Sequence, residues 1–309
     1  MKVTVLGATG SLGRNVVDAA LARGHAVTAL VRRPGDASLP ESVRIVEGDA
    51  TDPVRVAEVS DVDTIFFCVN PPFDRWETDF PPLLETALAA ARRSRARFVF
   101  PANVWIYGEV PAGASVDETR SPSPTSRRGR LRLSMERTIL GSGVDVRILR
   151  LPEFYGPHVN SLTAGVFRAV LRRRPVLWPG PLSGDFEVVY MPDAAIGMVR
   201  LSEVGDVPTS VHFPGVRTTA AGFVEAVGEA AGEQARAWSI PGWVLAAAGA
   251  VHGMARGAHD IRHLFTHPVL LDGRLARRAL GDLPCVPLPE GIHRTLAWYR
   301  DHPSFAIKV

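Results

Sequence analysis

The run Val3-Thr4-Val5-Leu6-Gly7-Ala8-Thr9-Gly10-Ser11-Leu12-Gly13 joins a short apolar strand to the start of a helix through three evenly spaced glycines. Gly7 permits a tight turn, Gly10 lets the backbone approach a pyrophosphate, and Gly13 allows a helix to pack closely on the strand. A helix that opens here offers unpaired N–H groups and a positive dipole end to phosphate. Three glycines alone mean little, and a purely structural turn is the competing reading. At the first strand–helix junction of an alternating chain they mark a dinucleotide site, with Gly7, Thr9, Gly10, Ser11, Leu12 and Gly13 as its cofactor-binding residues.

That alternation is present. Strand-like runs at Val3–Leu6, Ala26–Val31, Val43–Val46, Thr64–Val69, Phe98–Phe100 and Val144–Leu149 are separated by helix-period stretches at Leu12–Arg23, Pro53–Val59, Phe80–Arg93 and Arg130–Leu140. In the first helix Val16, Val17, Ala20 and Leu21 share a face, and Gly24 is placed to end it. The strands carry few charges, as expected when helices cover both faces of a parallel sheet. The fold class is therefore α/β, a doubly wound parallel sheet of the Rossmann kind, over residues 1–150. Beyond Arg150 prolines and glycines become frequent, and residues 151–309 read mainly as a smaller substrate-binding cap. A strand at Glu187–Met191 and a helix at Asp193–Leu201 are expected to return to the Rossmann domain. The Ser/Pro/Arg stretch Arg120–Arg128 reads as a loop.

Composition narrows the function classes. Of 309 residues 46% are hydrophobic and 22% charged, ordinary for a globular protein, and the net charge is only +3. No basic run interleaved with aromatics points to nucleic acid. The uncharged run Trp238–Met254 is shorter than the ~20 residues needed to span a bilayer and reads as a buried helix or a subunit contact. The two cysteines, Cys68 and Cys285, have no zinc or disulfide spacing, so no metal is expected, and Cys68 sits in an apolar run as a small buried side chain. With no room for a signal peptide before the first strand, a cytoplasmic location is the expectation. Lys2 and Lys308 are the only lysines.

The end of the second strand decides between nucleotides. A site for NAD usually places Asp or Glu there; this chain has Val31-Arg32-Arg33, two guanidiniums suited to a 2′-phosphate, with solvated surface arginines as the alternative. NADP(H) is thus expected over NAD(H). Asp49, after the third strand, can accept from the adenine amino group or cap the next helix. Asn70 ends the fourth strand on the edge where the cofactor should lie.

These residues resemble the extended short-chain dehydrogenase/reductase superfamily, which contains sugar-nucleotide epimerases and dehydratases. Gly7–Gly13 is similar to its glycine motif and Gly48-Asp49 to its adenine-side aspartate. Val104–Gly108 resembles the segment ending in Tyr-Gly, and Arg150-Leu-Pro-Glu-Phe-Tyr-Gly-Pro157 the Arg-x-x-Asn-x-Tyr-Gly-Pro segment. Tyr190-Met-Pro-Asp193 is similar to the strand end before a late helix. The resemblance also implies dimerisation through flanking helices such as Phe80–Arg93.

The catalytic centre departs from the superfamily. Asn103 stands at its Ser/Thr position. Aligning Glu136 with the glutamate of the helix that follows the superfamily's Tyr-x-x-x-Lys puts Arg128 at the tyrosine and Arg132 at the lysine, and no lysine nearby can restore the pair. Arginine cannot act as a general acid near neutral pH, but it stabilises negative charge on oxygen. If Arg128 and Arg132 face the pocket they can polarise a carbonyl, enolate or carboxylate; otherwise they lie on a solvated helix face. Glu153 replaces the substrate-contacting Asn and, partly desolvated, becomes the candidate acid or base. Asn103 can bind a substrate oxygen and Trp105 can wall the pocket. Tyr155 joins the catalytic candidates, with packing as its alternative, and His158 is a loop polar group or proton relay. The resulting expectation is an NADP(H)-dependent oxidoreductase or epimerase-like enzyme acting on a small organic carbonyl or hydroxyl compound. A non-redox isomerase, cyclase or lyase, and an inactive NADP-binding sensor, are the alternatives.

Overall fold

The computed structural model describes residues 1–36, 38–111, 113–251, 257, 259–303 and 305. Met254 and Lys308 lie outside them. Among the described residues, seven strands form one sheet: β1 (Lys2–Leu6), β2 (Ala26–Val31), β3 (Arg44–Glu47), β4 (Thr64–Phe67), β5 (Arg97–Asn103), β7 (Val146–Leu151) and β11 (Ser210–His212). Their order is β11-β7-β5-β4-β1-β2-β3, and every pairing is parallel. The strand order reverses between β1 and β4, which puts a ligand crevice outside their carboxyl ends. β4 and β7 are buried along their whole length, the signature of a sheet covered on both faces.

Helices supply the covers. α1 (Ser11–Ala22) buries Val16, Val17 and Ala20 on one face of the sheet, beside α6 (Met191–Glu203) with Ala194, Ala195 and Met198. α2 (Pro53–Glu58) is capped by Asp52, whose carboxylate accepts from the N–H groups of Val54 and Arg55. α3 (Trp76–Ser94) and α4 (Arg127–Leu140) close the opposite face through Phe80, Leu84, Met135 and Ile139. α3 starts four residues before the apolar periodicity does because Trp76 is itself buried. The loop expected to run to Arg128 stops at Ser126, whose hydroxyl oxygen accepts the Gly129 N–H and starts α4 at Arg127.

The second half adds β8 (Glu153–Tyr155), α5 (Leu162–Leu171), β9 (Val176–Trp178), β10 (Asp185–Tyr190), β12 (Val216–Thr219), α7 (Ala220–Ala231) and β13 (Ala237–Ser239). The strand expected near 187 is β10, and it does not return to the large sheet. It runs parallel to β8 and antiparallel to β12 in a separate three-stranded sheet. The cause is its side chains, since Phe186 and Val188 join an aromatic core with Tyr155, Phe167, Trp178 and Phe223. The strand that does return is β11, paired with β7 through Ser210↔Ile148. A two-residue ladder ties β6 (Ser115–Val116) to β14 (Leu270–Leu271). α8 (Gly242–Val251) is followed by α9 (His263–Thr266), α10 (Arg274–Leu280) and α11 (Leu288–Asp301). The run that begins at Trp238 is not a buried helix throughout, because Trp238 and Trp243 are exposed while Leu245 is buried. Among the described residues no helix is long and apolar enough to cross a membrane.

Candidate active site

The glycine turn has the geometry its spacing implies. Gly7 has φ +83°, and a Cβ there would meet the Cys68 carbonyl oxygen at 2.6 Å, so the turn lies tight against the end of β4. A Cβ on Gly13 would meet the Gly7 carbonyl oxygen at 2.1 Å, which fixes how closely α1 sits on β1. Gly10 donates its N–H to that same oxygen at 2.9 Å and stands, exposed, as the N-cap of α1. No side chain caps this helix, and its first turn carries no acidic residue. Thr9 is exposed and Ser11 and Leu12 are half-buried around the same turn. An uncapped helix end over a bare backbone cradle fits a dinucleotide pyrophosphate.

Arg32 and Arg33 follow β2 on the surface, and among the described residues neither forms an ion pair. Asp49 lies close enough for Arg32 to help hold its carboxyl below the usual carboxylate range, after the larger effect of two hydrogen bonds from Thr51, N–H at 2.8 Å and hydroxyl at 2.7 Å. Both Thr51 bonds go to Oδ1, and capping of α2 falls to Asp52 rather than Asp49. Asn70 is exposed beyond β4. Cys68 is buried, which pushes its thiol pKa up.

α4 carries both Arg128 and Arg132, and neither lies on a solvated face. Arg132 is buried, donates to the Pro101 carbonyl at 2.6 Å, and has its guanidinium 4.8 Å from the Phe100 ring centre and 5.8 Å from that of Trp76. Burial pulls its pKa down to about 10, against the pull of Glu136. It is a core residue held by aromatic faces. Arg128 is held outside the core, its guanidinium 3.8 Å above the Phe73 ring, donating to the Phe73 carbonyl at 3.3 Å and lying 3.4 Å from Asp260.

Glu153 lines a cleft together with Val104, Trp105, Phe186, Ile261 and Phe265. Its Oε1 is sealed from solvent without a hydrogen-bond partner. Burial raises its pKa to about 6, opposed by hydrogen bonds from Ser161 and the Phe154 N–H. A second carboxylate, Glu187, borders the same cleft; burial raises it to about 7, although it accepts the N–H groups of Gly215 at 2.8 Å and Leu271 at 2.6 Å. Sequence reasoning missed Glu187, which looked like one residue of an ordinary strand.

Asn103 turns its side-chain oxygen onto the Trp105 N–H at 3.2 Å and caps the 3-10 turn Val104–Tyr107. Tyr155, expected beside the substrate, is fully enclosed in the aromatic core of the second half. Its hydroxyl packs so closely on Gly291 that a Cβ there would come within 2.2 Å. His158 lies 4.7 Å from the Trp298 ring, and burial lowers its pKa to about 4.

Unforeseen in the sequence is a buried chain of polar groups that links β7, α4 and β11. Arg150 donates to Glu136 at 2.7 Å and to the Tyr107 hydroxyl at 3.0 Å, and that hydroxyl lies 2.6 Å from Nε2 of His212. Its only sequence signals are the motif residues Arg150 and Tyr107, whose contact with each other no spacing reveals.

The sequence profile of the NAD dependent epimerase/dehydratase family matches residues 3–212. The chain is 28% identical over 308 residues to a 3-diazoavenalumate denitrifying reductase from a Streptomyces species, covering 88% of this chain and 99% of the relative. It is also 28% identical over 151 residues to the dTDP-6-deoxy-L-talose 4-dehydrogenase (NAD(P)(+)) of Kitasatospora kifunensis, 45% of this chain and 46% of that one. Among solved structures, WbmH of Bordetella bronchiseptica in complex with NAD+ superposes with a TM-score of 0.78 at 20% identity, over 97% of this chain and 99% of that one. The dTDP-glucose 4,6-dehydratase of Bacillus anthracis, in complex with NAD, reaches 0.80 at 14% identity over 99% and 98%. The matched profile spans the glycine cradle, both arginine positions of α4, Glu153 and β11, so this chain belongs to the NAD dependent epimerase/dehydratase family.

Proposed function

We propose that the chain is an NADP(H)-dependent reductase of a small organic carbonyl compound, with Glu153 as its proton donor. The observation that carries this reading is the unpartnered, sealed oxygen of Glu153 in a cleft whose other lining residues, Glu187 apart, are apolar. A carboxyl raised to about 6 keeps a proton into the weakly acidic range, where a tyrosine without its lysine would deliver one poorly. The nicotinamide, when bound, supplies hydride to the carbonyl carbon. Glu153 gives its proton to the carbonyl oxygen, while Trp105, Phe186 and Phe265 exclude water. Asp49, Asn70 and the α1 cradle hold the nucleotide, and the guanidiniums of Arg32 and Arg33, in no ion pair among the described residues, favour a 2′-phosphate. Calorimetric titration with NADPH and NADH tests the cofactor half; equal affinities would refute the NADP(H) preference. Glu153→Gln tests the acid, and unchanged carbonyl reduction would remove Glu153 from the mechanism.

A second reading is favoured by the relative that is matched along nearly its whole length and is named a denitrifying reductase. Hydride added to a carbon bearing a diazonium group releases dinitrogen and leaves a C–H bond, so no proton donor is needed. Absence of the tyrosine–lysine pair suits that chemistry. Dinitrogen release from an aryl diazonium by both wild type and Glu153→Gln would favour it over carbonyl reduction.

A further inference from the structure

Arg128 is a guanidinium held in place without being well satisfied. Its Nη2 reaches the Phe73 carbonyl at 3.3 Å, its Nη1 lies 3.4 Å from an oxygen of Asp260, and its buried Nε bonds nothing. A guanidinium matched to a carboxylate makes two parallel bonds of about 2.7–2.9 Å. Asp260 does not provide them: it meets the guanidinium with one long contact and also accepts the N–H of Arg127 at 3.1 Å and of Arg128 at 3.2 Å. Ser126 accepts only the Gly129 N–H, so a carboxylate that took the place of Asp260 would also meet the open N–H groups of Arg127 and Arg128. The Asp260 carboxylate thus sits where positive charge from a side chain and a helix end converge, and its weak contact is the one with the guanidinium.

The surroundings say what would use it better. Phe73 lies under the guanidinium and edge-on to Trp105, with ring centres 6.1 Å apart, and Trp105 walls the cleft that holds Glu153. Ile261, the residue after Asp260, lines that cleft too. Arg128 is thus joined to the cleft that holds Glu153 through the Phe73 and Trp105 rings on one side and the chain step from Asp260 to Ile261 on the other.

We propose that Arg128 is the binding site for a carboxylate on the substrate, which displaces Asp260, so that the substrate is a small organic acid with an apolar body whose reactive group lies toward Glu153. This deepens the reductase reading and rests on it for the placement of the reactive group. The carboxylate subsite itself stands on Arg128, Asp260 and Phe73. Asp260 keeps the guanidinium in place in the free protein and is exchanged for a ligand that can take the bidentate geometry.

Calorimetry of the full chain with 3-phenylpropionate and its uncharged amide, with and without NADPH, tests this. The acid is expected to bind about tenfold or more tighter than the amide, and Arg128→Met to erase the difference. Asp260→Asn keeps an acceptor for the helix N–H groups but removes the competing charge. It is expected to tighten the acid severalfold and leave the amide unchanged. Equal binding of acid and amide, or a preference that survives Arg128→Met, would overturn the subsite; an unchanged acid affinity in Asp260→Asn would overturn the exchange. NADPH binding is read in the same samples, and NADPH oxidation is read with 3-benzoylpropionate, which carries both a carboxylate and a reducible carbonyl. A protein that prefers the acid but never oxidises NADPH would overturn the reductase reading and leave the subsite standing.

Discussion

The Tyr107 hydroxyl donates to Nε2 of His212 at 2.6 Å, and the direction of that bond is fixed from both sides. Nδ1 of His212 faces the Val116 carbonyl at 3.0 Å, which can only accept, so Nδ1 carries the proton and Nε2 does not. On the other side Arg150 donates to the Tyr107 oxygen at 3.0 Å, which frees the phenol proton for histidine. Both groups are thereby held neutral: burial raises Tyr107 to about 12 and lowers His212 to about 4.

His212 therefore makes stability depend on pH. Its ordinary value is 6.5 and its folded value about 4, so between these the unfolded chain binds a proton that the folded chain refuses. The stabilisation is complete above about pH 6.5 and is lost as pH falls toward 4, by up to about 1.4 kcal/mol per pH unit. Glu153 and Glu187, raised to about 6 and 7, oppose this trend as pH rises from their ordinary values. The measurement is therefore a difference: urea unfolding of His212→Gln against wild type from pH 4.5 to 7.5, with the variant losing one proton's worth of slope.

Glu136→Gln should be far more damaging than its exposure to chemistry suggests. It leaves Arg150 buried with a neutral partner, and breaking a buried pair costs about 3–5 kcal/mol. Chemical denaturation reads the loss, and an effect below about 1 kcal/mol would mean that Tyr107 alone can hold the guanidinium.

Arg32 and Arg33 changed together to alanine should weaken NADPH about tenfold or more and NADH little. The same titration on Gly13→Ala should fail differently. Its Cβ would fall 2.1 Å from a backbone oxygen, so α1 must shift and both nucleotides weaken together, with a stability loss of a few kcal/mol, roughly 2–4.

If Glu153 is the acid, carbonyl reduction should fall as pH rises through about 6, where its proton is lost, and Glu153→Gln should lack that limb. Glu187→Gln distinguishes the two carboxyls of the cleft. Glu187 accepts two backbone N–H groups, and an amide can accept only on its one oxygen, so this variant should lose about 1–3 kcal/mol of stability. Its pH profile for reduction should keep the limb that Glu153 provides.

The first half of the fold was readable because its causes are local. Apolar runs, a 3.6-residue period in α1 and a glycine wherever a Cβ would collide all appear in consecutive residues. The cofactor cradle was legible for the same reason. In the second half the strand near 187 and the helix after it were legible, but the three-stranded sheet was not, because β8 has only three residues and its partner β10 lies tens of residues further on. Arg132 shows the limit for side chains: its spacing suited a helix surface, and only the convergence of Trp76, Phe80 and Phe100 from other elements makes a buried guanidinium tolerable. The Asp260 that meets Arg128 comes from 132 residues away, beyond any motif.

The edge strand β11 is supplied from beyond β8 and β10, so the seven-stranded sheet is completed only by chain that has first passed through the smaller sheet. On a ribosome the nascent sheet must wait with its β7 edge open until residue 212 has emerged. A truncation placed at the apparent end of the nucleotide-binding half would leave that edge bare, ready to pair with another unfinished copy. Expression of residues 1–150 alone should accordingly give aggregate rather than a minimal nucleotide-binding unit.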